Sequence, residues 1–235
     1  MTIAILAGGL ATRLGPITDG VPKSLLEVNG EPFAVHQLRL LQANGIRRVV
    51  LCVGHLGELV RRAIGDGSAV GLQVDYSFDG PALLGTAGAV KKALPKLGDA
   101  FFVMYGDSYL PCDYAAIGRS FESSGMLAMM TVFRNEGKWD SSNVEFEAGT
   151  ILDYSKETRT PRMHYIDYGL GVFRAEAFRG LPAGKACDLT ELYTDLLQRK
   201  QLAALEVRER FYEIGSPAGL RETAEFLAAR GVSQE

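Results

Sequence analysis

The sequence predicts an α/β fold in which helices flank a mixed, mostly parallel sheet. Three patterns lead to it. Short apolar runs alternate with helix-period stretches through the first half, four strand-like runs follow one another after Asp107, and helical patterning returns towards the end.

In the first half, "TIAILA", "RRVVLCVG", "LQVDYSFD" and "AFFVMYGD" read as strands. Between them, "PFAVHQLRLLQANG", "LGELVRRAIG" and "TAGAVKKALPKLG" read as crossover helices, the third broken near Pro95. Pro32 suits a first helical turn and Gly45 a helix end. Beyond Asp107, "MLAMMTVF", "SNVEFEAG", "TILDYSK" and "YIDYGLGVF" are strand-like, with a hairpin expected at Gly149. The helix "DLTELYTDLLQRK" follows behind an Asp188 or Thr190 cap. "LAALEV" and "RFYEIG" are the last strands, and a final helix opens with Ser216 as cap and Pro217 in first position.

Composition bounds the function. The 235 residues, 47% apolar and 23% charged with no low-complexity tract, suit one compact domain, with disorder expected only in the closing "GVSQE". A net charge of −3 lacks the basic surface that nucleic-acid binding requires. No apolar run reaches the roughly 20 residues of a membrane span, and "MTIAILAGG" has no basic leader region, so a cytoplasmic protein without membrane partners is expected. Cys52, Cys112 and Cys187 form no CxxC pair and read as reduced packing residues. His36, His55 and His164 are too scattered for a zinc site.

The informative stretch is "LAGGLATRLGPITDGVPKSLLEV", directly behind the first strand. Small residues there let backbone N–H groups approach phosphate oxygens. The glycine spacing is not that of a dinucleotide fingerprint, and Val21 and Pro22 separate glycine from Lys23 where a P-loop needs them contiguous. The chain resembles the sugar-phosphate nucleotidyltransferases in this stretch, in "LLGTAGAV", in "VMYGDS" and in "FYEIGSP", in family order from Ile3 to Leu220. Ala11 stands where the family usually has glycine, and Glu213 where it usually has aspartate.

The resemblance implies a single Rossmann-like nucleotidyltransferase domain over residues 1–235, with a nucleotide-binding half over 1–110 and a strand-rich, sugar-phosphate-binding half over 111–235. It also implies roles. Leu6, Ala7, Gly8, Gly9 and Thr12 would contact the nucleotide, Arg13 would grip the departing pyrophosphate, and Lys23 would reach the α-phosphate. Gly85 and Thr86 would lie against base and ribose, Thr86 doubling as a helix cap. Asp107, at a strand's carboxyl end, and Glu213 would hold Mg²⁺. Lys156 is the candidate for the sugar phosphate. Asn143, Asp167 and Gly169 are candidates for the sugar, although these polar side chains also suit ordinary turns and strand ends.

The expected reaction joins a nucleoside triphosphate and a sugar 1-phosphate, giving a nucleotide sugar and pyrophosphate. Its nucleophile is already anionic, so alignment and charge neutralisation by Arg13, Lys23, Lys156 and Mg²⁺ suffice without a catalytic histidine or cysteine. Two alternatives share the loop: a cytidylyltransferase for phosphocholine or another non-sugar phosphate, and a non-catalytic regulatory protein. A homo-oligomer is compatible with the sequence, which names neither base nor sugar.

Overall fold

The computed structural model describes residues 1–9 and 20–231. Thr12 and Arg13, and most of the closing "GVSQE", lie outside them. The strands are β1 (Thr2–Leu6), β2 (Glu27–Val28), β3 (Glu31–Pro32), β4 (Arg48–Val53), β5 (Gln73–Phe78), β6 (Ala100–Tyr105), β7 (Ser108–Tyr109), β8 (Ala128–Arg134), β9 (Val144–Glu147), β10 (Thr150–Tyr154), β11 (Tyr165–Arg174), β12 (Leu202–Val207) and β13 (Tyr212–Glu213). The helices are α1 (Phe33–Ala43), α2 (Gly57–Ile64), α3 (Gly85–Leu97), α4 (Tyr114–Ser124), α5 (Leu189–Gln198) and α6 (Pro217–Gly231).

The main sheet runs β5-β4-β1-β6-β11-β8-β12, and the β9–β10 hairpin joins the start of β11. Every pair from β5 to β6 is parallel, β11 is antiparallel to both neighbours, and β12 runs parallel to β8. This is the predicted mixed, mostly parallel sheet.

Both faces are covered because alternate side chains of each strand point to opposite sides. Ile3, Ile5, Val49, Leu51 and Phe102 meet Leu38 and Leu41 of α1, Val60 of α2 and Phe121 of α4. Ala4, Val50, Phe101 and Val103 meet Val90 and Ala93 of α3 with Leu192 and Leu196 of α5. Each large side chain so buried stabilises the fold by about 1.5–3 kcal/mol relative to exposure.

Local chemistry explains the element ends. Ala148 and Gly149 both have positive φ, at 48° and 84°, and give the two-residue turn of the predicted hairpin. Asp188 caps α5 by accepting from Thr190 N, and Ser216 Oγ accepts from Gly219 N at the start of α6. Three expectations need correction. Helix α3 is not broken at Pro95 but runs on to Leu97, since a proline in the last turn forfeits only one intrahelical bond. The stretch 114–124, for which no element was expected, is α4, capped by Asp113 through Ala116 N. "RFYEIG" is a strand only at Tyr212–Glu213, paired with β7 outside the main sheet.

Candidate active site

The carboxyl ends of β1, β4, β5 and β6 open on a cavity of about 290 Å³, lined by Leu6, Ala7, Gly8, Gly9, Lys23, Gly85, Thr86 and Asp107 among others. All the predicted nucleotide contacts within the described residues therefore share one space. A parallel sheet directs its strand ends and their loops to one edge, where α/β ligands bind. Gly8 packs closely: a Cβ there would lie 3.1 Å from Gly54 N, so a side chain would press the two loop backbones apart by a few tenths of an ångström. Gly85 combines φ +67° with a Cβ position 2.5 Å from the Cys187 carbonyl oxygen, so a side chain is excluded twice over.

The cavity also holds residues the sequence reading passed over. Asp79, at the end of β5, is 7% exposed. Its Oδ2 accepts from Leu84 N at 3.2 Å, and no protein atom among the described residues donates to Oδ1. Burial pushes its carboxyl above its ordinary value, and the Leu84 N–H and Lys92 ammonium pull it partly back. Cys52 lies beside it, its thiol pushed up to about 12 first by burial and then by Asp79, which leaves it an inert part of the wall.

Thr86 does not cap its own helix. Its hydroxyl accepts from Leu189 N at 2.7 Å and donates to Asp188 Oδ2 at 3.1 Å, tying α3 to α5. Burial raises the Asp188 carboxyl, but the Thr190 bonds, the Lys156 ammonium and the Thr86 hydroxyl together hold the group below its ordinary value, so a second carboxylate faces the cavity. At the start of α3, Ala87 N and Gly88 N both donate to the Cys187 carbonyl, at 3.0 and 3.3 Å. That helix end is therefore closed by protein, and Gly85 and Thr86 are the parts of it that line the cavity.

A second cavity of about 370 Å³ opens beside the first and shares Tyr105 and Asp107 with it. Its lining includes Asn143, Lys156, Asp167, Gly169 and Glu213, so the predicted acceptor residues also come together. A bulge in β11 between Asp167 and Gly171 breaks the pairing with β8, and Gly169 takes φ +93° within it. Thr131 Oγ1 donates to the Leu170 carbonyl and supports the bulge. Asp167 Oδ1 accepts from Gly169 N at 3.0 Å, and Asp167 N donates to Asn143 Oδ1 at 2.9 Å, leaving Asn143 Nδ2 for the cavity. Burial pushes the Asp167 carboxyl up, and the Lys156 ammonium draws it back. Lys156 Nζ reaches Tyr105 Oη at 3.2 Å.

Between the cavities, Lys23 Nζ donates to Asp107 Oδ2 at 2.7 Å. The turn that carries Asp107 is fixed from behind by Gln37 of α1, 1% exposed, whose Nε2 donates to the Ser108 carbonyl at 2.7 Å and the Tyr105 carbonyl at 3.2 Å. Glu213 sits opposite Ser108 in the β7–β13 pair, and Ile214 N donates to the Asp107 carbonyl at 2.9 Å. The Glu213 carboxylate accepts from Gly215 N and, at 2.9 Å, from Ser216 Oγ. Among the described residues no three His, Cys, Asp or Glu side chains gather as a metal site, and no helix is long and apolar enough to cross a membrane.

The profile of a family described as nucleotidyl transferase matches residues 3–229. The chain is 28% identical to an N-acetylmuramate alpha-1-phosphate uridylyltransferase of Neisseria meningitidis over 97% of its own length and 99% of that protein's. It is 26% identical to the mannose-1-phosphate guanylyltransferase catalytic subunit beta of Xenopus tropicalis over 92% of its length, but spans only 62% of that subunit. Its fold superposes on HddC from Yersinia pseudotuberculosis, crystallised with GMP-PN, with a TM-score of 0.80, 22% identity and coverage of 96% and 99% of the two chains. With its matching profile, the chain belongs to the nucleotidyl transferase family.

Proposed function

We propose that the chain transfers a nucleotidyl group from a nucleoside triphosphate to a sugar 1-phosphate, forming a nucleotide sugar and releasing pyrophosphate. The observation that carries this reading is the pair of cavities meeting at Tyr105 and Asp107, with Lys23 in one and Lys156 in the other. An in-line displacement needs two anionic substrates brought end to end, and each lysine offers one of them a point charge. The attacking phosphate oxygen needs no base. The chain's part is alignment, with Lys23 and Arg13 on the triphosphate and Lys156 on the acceptor phosphate.

Asp107 and Glu213 fit a hard cation as donors. Both line the second cavity, and both are carboxylates whose hydrogen bonds leave lone pairs over. Mg²⁺ held there would neutralise phosphate charge, with water and phosphate oxygens completing its coordination.

Asp79 favours guanine as the base. Ionised, a buried carboxylate with one free oxygen accepts hydrogen bonds and donates none. Guanine presents two neighbouring donors, N1–H and the N2 amino group, whereas the pyrimidine ring of uracil offers one N–H between two carbonyls that the carboxylate repels. Mass spectrometry of a reaction containing GTP, mannose 1-phosphate and Mg²⁺ tests the reading. A GDP-sugar is expected, and unchanged substrates with this and other sugar 1-phosphates would contradict it.

A further inference from the structure

The segment "NEGKWDSSN", 135–143, carries the chain's single tryptophan among small and charged residues. Trp139 is 46% exposed, so core burial does not explain it. The Arg210 guanidinium carbon lies 3.3 Å from the indole centroid and 4.7 Å from that of Tyr212, which places the guanidinium between two rings. Tyr212 in turn stacks on Phe226 of α6 at 3.9 Å, and Arg210 pairs with Glu222 of the same helix.

The loop is anchored on its other side by a buried side chain. Asn135 is wholly buried, and its Nδ2 donates to the Asp140 carbonyl at 2.6 Å and Ser142 Oγ at 3.1 Å. Its Oδ1 accepts from Trp139 N at 3.2 Å. One buried side chain therefore ties together the backbone from Trp139 to Ser142. Asp140 and Ser141 come directly after Trp139, Phe211 comes directly after Arg210, and all three line the acceptor cavity. The stack joins two walls of that cavity that are distant in sequence.

We propose that the Trp139–Arg210 stack is a clasp that holds Asp140 and Ser141 over the acceptor cavity, where they select among hydroxyl-rich phosphates. This rests on the sugar 1-phosphate reading. Trp139 and Arg210 are positioning residues, since neither lines the cavity itself.

Because the tryptophan is single, its fluorescence reports on the clasp without turnover. In the wild-type protein, α-D-mannose 1-phosphate or α-D-glucose 1-phosphate changes the emission saturably. Trp139→Ala and Arg210→Ala raise the sugar-phosphate KM by about 5- to 10-fold, the scale of a lost cation–π contact, with kcat and the nucleotide KM unchanged. Trp139→Phe restores most of the affinity. Equal rises in both KM values, an unchanged acceptor KM in a folded Trp139→Ala protein, or no fluorescence response to either sugar phosphate would overturn the clasp. A saturable response without any pyrophosphate release would leave the clasp standing and overturn the transfer reading.

Discussion

The Lys23 ammonium and the Asp107 carboxylate form a 2.7 Å ion pair across the seam between the two cavities. Both side chains are partly exposed, so the pair contributes at most about 1 kcal/mol to stability and a phosphate can displace it. On the proposed transfer, the pair keeps in place two groups that would neutralise phosphate charge. Lys23→Ala and Asp107→Asn should each lower turnover by about 10²-fold or more while the unfolding free energy moves by less than about 1 kcal/mol. Arg13→Ala should behave like Lys23→Ala. Pyrophosphate release and chemical denaturation measure the two halves of this prediction, and near-normal turnover in either Lys23→Ala or Asp107→Asn would refute it.

Gln37 links the first crossover helix to the turn that carries Asp107. Replacing it with alanine leaves the Tyr105 and Ser108 carbonyls without their donor, at a cost of about 1–3 kcal/mol. The turn carrying Asp107 also loosens, so kcat should fall although Gln37 lines neither cavity. Loss of stability with kcat unchanged would show that the Asp107 turn holds its position without this helix.

Asp167 is a group whose charge opposes the fold. Because burial raises its carboxyl in the folded state, the folded chain holds that proton more tightly than the unfolded chain does. Ionisation therefore destabilises the fold at neutral pH, and the effect fades as pH falls through the folded value towards the unfolded one, about 3.9. Asparagine keeps the Oδ1 that accepts from Gly169 N. Asp167→Asn should therefore raise the thermal midpoint at pH 7, with the gain vanishing near pH 3, and should raise the acceptor KM. A lower midpoint at pH 7 would contradict the sign.

Asp79→Asn exchanges an acceptor for a group that both donates and accepts, at the same size. Discrimination between GTP and UTP should shrink by about 10-fold or more, as expected when a buried charged hydrogen bond is lost, while the KM for sugar 1-phosphate stays put. Competition assays with mixed nucleotides measure this. An unchanged preference would move base recognition elsewhere in the cavity.

Much of this was legible in the sequence, and the exceptions have physical causes. Strands β1, β4 and β6 are apolar runs buried on both faces, and α1 and α5 carry clear apolar stripes, so periodicity finds them. Helix α4 escaped because "YAAIGRSFESS" holds glycine and serines and buries mainly Tyr114, Ile117 and Phe121. The glycines, Lys23 and Asp107 stand out because they sit in one recognisable order. Asp79 ends the expected strand "LQVDYSFD" as one of its several polar residues, and only the fold shows it buried against the cavity. The order of motifs makes Glu213 a candidate metal ligand, whereas its hydrogen bonds to Gly215 and Ser216 at the start of α6 depend on the fold. Trp139 and Arg210 are far apart along the chain, and no local pattern pairs them.

Transfer between two substrates that meet at Asp107 makes pyrophosphate release depend on both of them. Pyrophosphate release measured with Mg²⁺, each of the five common nucleoside triphosphates, and a panel of sugar 1-phosphates present or withheld tests it most directly. Release should depend strictly on the acceptor, be greatest with GTP and be matched mole for mole by nucleotide sugar. Release independent of any sugar 1-phosphate, or none with any pair, would contradict it.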